Sequence, residues 1–135
     1  MECLRHRSEL LKRELVLNEY EFYLPFPPTN NNYYTIARNR KVLSKKGREY
    51  KSEAVNAIIE QRLNDKRISG SIGITLVLNP PCNRRRDLDN FEKPLLDAIT
   101  ESGLWGDDSQ IDRKLTIRGV KSKVGHVIVN VKELV

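Results

Sequence analysis

Ile72, Ile74, Leu76 and Leu78 recur two residues apart in the run Ser71-Ile72-Gly73-Ile74-Thr75-Leu76-Val77-Leu78. A period of two puts all four on one face of a strand. A different rhythm precedes it. Tyr50, Ala54, Ala57, Ile58 and Leu63 fall at helical spacing over residues 44–63, and Ser44 is a natural N-cap. A second helix is predicted over 88–102, with Leu88, Phe91, Leu95 and Ile99 on one side, Pro94 early in it and Gly103 at its C-terminal cap. Residues 20–24 are aromatic-rich and read as a strand, and residues 111–121 and 124–131 as two closing strands. The prolines and asparagines of 25–32 demand a loop. Residues 33–36 suggest a short extended stretch before a basic turn at 37–41, and a short basic helix is expected over 8–16. The order β, (β), α, β, α, β, β implies an α/β (α+β) fold: one domain with a mixed sheet of about four to five strands and two main helices. Residues 1–18 are expected to be a basic extension and 19–135 the domain.

A chain of 135 residues can bury a core without staples. Its two cysteines, Cys3 and Cys82, form no CxxC pair, and with only His6 and His126 to join them they do not make a zinc site. That sparse usage suits a reducing cytoplasm. No apolar run approaches the ~18 residues of a membrane span, and the charged start lacks a secretory h-region.

Charge narrows the function. Lysine and arginine number 24 against 18 acids, a net charge of +6, which favours a polyanionic partner such as nucleic acid. Lys45, Lys46, Arg48 and Lys51 crowd the start of the first long helix, where cations oppose the helix dipole. They suit a bound phosphate, or else form a solvated helix end. Arg38 and Arg40 add to the basic surface.

The densest chemistry lies in Arg84-Arg85-Arg86-Asp87-Leu88-Asp89-Asn90-Phe91-Glu92-Lys93. Two carboxylates at i and i+2 across a loop-to-helix junction can point to one place, as the hard oxygen donors of Mg²⁺ must. Lys93, four residues after Asp89, shares its helix face and offers an ammonium for a developing oxyanion. The arginines suit adjacent phosphates. The alternative is structural: Asp89 or Asn90 caps the helix, Asp87 pairs with an arginine and Lys93 bridges Asp97. Asp107 and Asp108 sit in the turn after the helix, where they are either a third acidic ligand or turn-formers. Asp112 is close in sequence but strand geometry points it elsewhere. Trp105 reads as a packing anchor. Asn30, Tyr33 and Tyr34 either reach the nucleic acid or, for the tyrosines, pack in the core. No glycine-rich phosphate loop supports a nucleotide-dependent transferase built on D-x-D.

Three motifs in order resemble those of the RusA-type Holliday junction resolvases of bacteria and their prophages. They are Leu24-Pro25-Phe26-Pro27-Pro28-Thr29-Asn30-Asn31, then Arg85-Arg86-Asp87-Leu88-Asp89-Asn90 with Lys93, then Trp105-Gly106-Asp107-Asp108-Ser109-Gln110-Ile111. The resemblance spans residues 20–134 and leaves out residues 1–18. It departs from the pattern at Phe91, Glu92 and Pro94 without losing a candidate catalytic group.

The resemblance implies a bacterial, cytoplasmic endonuclease (a hydrolase) of DNA recombination and repair, of prophage type. Its substrate would be four-way junction DNA, cut by paired symmetric nicks leaving 5′-phosphate and 3′-hydroxyl ends. It implies Mg²⁺, with Mn²⁺ as a substitute, held by Asp87, Asp89 and Asp108, with Lys93 as the fourth catalytic group and Asp107 in support. A symmetric homodimer is expected, since a junction has approximate two-fold symmetry. Arg84, Arg85, Arg86, Lys45, Lys46, Arg48, Asn30 and Tyr33 are the expected DNA contacts. The alternative is a junction-binding module that does not cut.

Overall fold

The computed structural model describes residues 15–135. Its elements in chain order are β1 (Val16–Pro25), the single helical turn α1 (Asn30–Tyr33), β2 (Tyr34–Ala37), β3 (Arg40–Leu43), α2 (Lys45–Glu60), β4 (Ile72–Asn79), α3 (Glu92–Ser102), β5 (Ile111–Arg118) and β6 (His126–Leu134). Short 3₁₀ turns at Leu88–Phe91 and Asp108–Gln110 lead into α3 and β5. Four strands form one mixed sheet in the order β1-β6-β4-β5. β6 runs antiparallel to both β1 and β4, and β4 runs parallel to β5 through the α3 crossover. The fold is therefore α+β.

The strand alternation decides where the core lies. Ile72, Ile74, Leu76 and Leu78 are all buried, as their spacing predicts, with Phe22 and Leu24 on β1 and Val127, Val129 and Val131 on β6. Tyr50, Ala54 and Ile58 of α2 and Leu95, Ala98 and Ile99 of α3 complete one apolar cluster. Fully burying each large aliphatic side chain is worth roughly 1.5–3 kcal/mol, so this cluster holds the domain without crosslinks. Trp105 is 1% exposed and packs in the same core, the anchor its sequence position suggested.

Several elements differ in extent from expectation. β1 opens at Val16, paired with Leu134, so residues 16–18 belong to the sheet and are not part of an extension. The helix expected over 8–16 falls mostly outside the described residues, and where it enters them the chain is extended. Within the expected loop 25–32, Thr29 accepts a hydrogen bond from the Asn32 amide and starts α1. The extended stretch and basic turn form a separate hairpin, β2–β3, whose turn residues Arg38 and Asn39 both have positive φ (51° and 61°). Paired positive φ values match the right-handed twist of a two-residue hairpin. The second helix begins as a 3₁₀ turn, and Gly103, at φ 91°, ends it in the left-handed conformation expected of a C-terminal glycine. Among the described residues no helix is long and apolar enough to cross a membrane.

Candidate nuclease site

Ser44 organises the approach to the site. Its hydroxyl accepts from the Gly47 amide at 2.9 Å, capping α2, and donates to the Asn32 carbonyl at 2.6 Å. The cap thus ties α2 to α1. α1 in turn reaches the acidic segment, because Asn30 Nδ2 donates to the Asp89 carbonyl at 3.3 Å. Lys45, Lys46 and Arg48 follow the cap on the exposed first turn of α2, which carries no acid to answer the helix dipole. Arg48 Nη1 donates to the Leu43 carbonyl at 3.0 Å, joining that turn to β3.

Asp87 and Asp89 are both exposed, at the loop-to-helix junction after β4. Neither caps the 3₁₀ turn with its side chain in the manner of a structural N-cap; the Asp87 carbonyl alone accepts there, from the Asn90 amide. Of the three arginines, Arg84 and Arg85 are exposed, whereas Arg86 folds back on its own loop. Its guanidinium donates to the Cys82 carbonyl at 2.8 Å, the Arg84 carbonyl at 3.0 Å and the Cys82 sulfur at 3.1 Å. Arg118 donates to the Arg86 carbonyl and holds the loop against β5. Arg86 therefore braces the loop. Its hydrogen bond also holds the exposed Cys82 thiol below its usual pKa.

The face of α3 continues the site. Lys93 and Asp97 stand four residues apart on one face of α3, and Asp89 precedes them in the 3₁₀ turn. Lys93 Nζ lies 3.0 Å from Asp97 Oδ1. That hydrogen bond is the main reason the lysine's pKa is raised; partial burial opposes it, and the Asp97 charge and the more distant Asp108 reinforce it. A turn further on, Thr100 meets Asp108 by a hydroxyl–carboxylate hydrogen bond, and Trp105 Nε1 donates to the same Thr100 oxygen at 2.7 Å. The buried indole thus fixes the threonine that fixes Asp108. Asp107 faces its own turn, where hydrogen bonding from Ser109 lowers its pKa, and Gln110 accepts from its amide. Asp112 is occupied by Ser71.

Asp87 and Asp89 precede α3, and Asp108 meets Thr100 near the helix end. Among the described residues no three acidic, histidine or cysteine side chains converge on one point. The three expected donors are all carboxylates, which fit a hard divalent cation.

Tyr33 corrects the expected DNA contacts. It is fully buried, and a ring with no exposed surface has no face for a base. Its carbonyl lies against Gly47, which no larger residue could replace without clashing: an added Cβ would stand 2.3 Å from that oxygen. Burial pushes the phenol's pKa up, and the charge on Asp97 pushes the same way. Its hydroxyl has no hydrogen-bond partner among the described residues. Tyr34, half-buried, is shifted up by the same two causes, and Lys41 Nζ stands 4.3 Å over its ring. Asp97 is the site residue that sequence reasoning undervalued. It was visible only as a competing ion-pair partner for Lys93, whereas folding makes it the common neighbour of Lys93, Tyr33 and Tyr34.

Exposed carboxylates and a lysine, ringed by arginines on a small α+β domain, define a protein equipped to act on a polyanion. A protein-family model described as Endodeoxyribonuclease RusA matches residues 25–132. The chain is similar to the crossover junction endodeoxyribonuclease of Enterobacteria phage HK97, with 38% identity over 118 residues, covering 87% of this chain and 98% of that protein. It is 34% identical, with the same coverage, to the crossover junction endodeoxyribonucleases RusA of Shigella sonnei (strain Ss046) and Escherichia coli (strain K12). The chain belongs to the RusA endodeoxyribonuclease family.

Proposed function

We propose that this chain is an endonuclease of four-way DNA junctions that makes paired, symmetric nicks as a homodimer and requires a divalent cation, Mg²⁺ or in its place Mn²⁺. The observation that carries the reading is the family match over residues 25–132 with Asp87, Asp89 and Lys93 exposed together at the head of α3. Asp87, Asp89 and Asp108 would hold the cation, which supplies charge neutralisation at the scissile phosphate and access to hydroxide near neutral pH. Lys93, kept protonated by Asp97, meets the charge that builds on the phosphate and on the departing oxygen. Water attacks phosphorus in line, the P–O3′ bond breaks, and the 3′ oxygen leaves protonated, giving 5′-phosphate and 3′-hydroxyl ends. Arg84 and Arg85 clamp flanking phosphates with forked donors, with Lys45, Lys46 and Arg48 as a second bank. Asn30 acts through the Asp89 backbone and is a positioning residue. The setting that suits this chemistry is DNA recombination and repair in the bacterial cytoplasm, in a prophage context.

A second reading, a junction-binding module that does not cut, uses the same exposed basic surface at Arg84, Arg85, Lys45, Lys46 and Arg48. Cleavage of a mobile synthetic four-way junction, with and without Mg²⁺, by wild type and Asp89→Asn separates the two. Symmetric nicks that need Mg²⁺ and vanish in the variant, with junction binding retained, support the nuclease. Binding without cutting by the wild type under any divalent ion leaves the binding module.

A further inference from the structure

The β2–β3 hairpin stands apart from the main sheet and leaves a groove of about 670 Å³ between itself and the start of α3. Asn30, Tyr34, Ile36, Arg40, Lys41 and Lys93 line it, and no acidic residue does. The groove therefore leads from the hairpin to the lysine of the nuclease site. Ile36 is 77% exposed on the hairpin, beside the cations Arg40 and Lys41. An exposed isoleucine beside cations suits a partner with both apolar faces and negative charge. Nucleic acid with unstacked bases has both properties: π-faces for the apolar residue and phosphates for the cations.

We propose that this groove holds one unpaired strand of the DNA at the junction crossover, with Ile36 against an unstacked base and Arg40 and Lys41 on its phosphates, delivering the backbone to Lys93. The proposal rests on the junction-nuclease reading for its substrate. The hairpin is suited to the task because its strands are exposed on both faces and its two-residue turn presents Arg38 and Asn39. Lys41, now over the Tyr34 ring, can exchange that ring for a phosphate within the reach of its own side chain. Tyr34 would then offer its freed face to a neighbouring base.

The test is binding without divalent ions, in EDTA, to a four-way junction carrying 2-aminopurine at the crossover and to a duplex of equal length. The proteins are the wild type, Ile36→Ser, Arg40→Ala/Lys41→Ala, and a control of equal charge loss, Lys66→Ala/Arg62→Gln, on the loop before β4. The wild type should brighten the crossover probe. Arg40→Ala/Lys41→Ala should raise the junction Kd about tenfold or more, lower the log–log salt slope by about 1.4, and suppress the brightening. Ile36→Ser should suppress the brightening with little change in salt slope, and the control should shift Kd by less than about threefold. Equal losses in the two double variants, or wild-type brightening in both groove variants, overturn the proposal. Failure of the nuclease reading has a different signature: no cutting by the wild type when metal is restored, whatever the groove variants do in EDTA.

Discussion

Lys93 Nζ stands 3.0 Å from Asp97 Oδ1, and the lysine is the more exposed partner, 48% against 22% for the acid. Asp97 is thus the fixed member, and the ammonium reaches from it toward solvent. Helix stability does not explain the pairing, since the favourable order on a helix places the acid before the base. A half-exposed pair is also worth little energetically. What the pair does is hold the one lysine of this face in a defined place and charge state, beside the segment that carries Asp87 and Asp89.

Asp97→Asn should therefore leave junction affinity within about threefold and lower the cleavage rate by about tenfold to a hundredfold. The sign of the pH effect follows from the raised lysine pKa. Asp97 favours the protonated ammonium, so its loss lets the proton leave at lower pH, and the alkaline limb of the pH–rate profile moves down. The contribution to stability is present below the ordinary lysine value of 10.5 and fades as pH rises through the raised value above it. Asp97→Glu should recover part of the rate. A variant with an unmoved alkaline limb and an intact rate would assign Asp97 to the surface alone.

Thr100 carries the next prediction. Its hydroxyl joins the indole of Trp105 to the carboxylate of Asp108. Thr100→Val keeps the shape and removes both bonds, leaving a buried indole N–H unpaired. Thermal or urea denaturation should show a loss of about 1–3 kcal/mol. Cleavage should fall further than stability explains, because Asp108 loses its anchor, and Thr100→Ser should restore both. A Thr100→Val protein that is destabilised but cuts at the wild-type rate would remove Asp108 from the catalytic machinery.

The parts of the fold read correctly from sequence are those with a strong local period. The alternation over 72–78 and the helical stripes at Tyr50, Ala54 and Ile58 and at Leu95 and Ile99 mark buried faces directly. The hairpin was harder, since Arg38 and Asn39 adopt positive φ without the glycine that usually announces such a turn. Tyr33 was ambiguous because an aromatic ring serves a core or a base equally well; only the fold, which buries it completely and seats Gly47 of α2 on its carbonyl, decides for packing. Asp87, Asp89 and Lys93 stand out in the sequence by their spacing, and the structure leaves all three exposed. Asp97 and Thr100 gain importance only through the partners that tertiary structure brings to them.

Cys82 offers a probe of the arginine loop. Arg86 stabilises its thiolate, and the side chain is exposed. In a Cys3→Ser background, iodoacetamide at neutral pH should alkylate Cys82 faster than the thiol of an unstructured peptide, and Arg86→Gln should return the rate to the peptide value. Junction DNA seated on Arg84 and Arg85 should slow the reaction. Alkylation at the same rate with saturating DNA would place the bound junction away from this loop.

Gly47→Ala tests the mechanical link from the core to the β2–β3 hairpin. The added Cβ would meet the Tyr33 carbonyl oxygen at 2.3 Å, and that oxygen belongs to backbone that also accepts the Ser44 amide at 2.9 Å. Relief therefore requires moving α1 and the start of β2 together, or displacing the N-terminus of α2 with its cap. Either route should cost about 2–4 kcal/mol in denaturant unfolding, beyond the small gain in helix propensity from alanine. Because Asn30, Tyr34 and the hairpin follow the same backbone, junction binding should weaken as well, even at temperatures where the variant is fully folded. A Gly47→Ala protein with wild-type stability would mean that the approach of α2 to Tyr33 is looser than this packing requires.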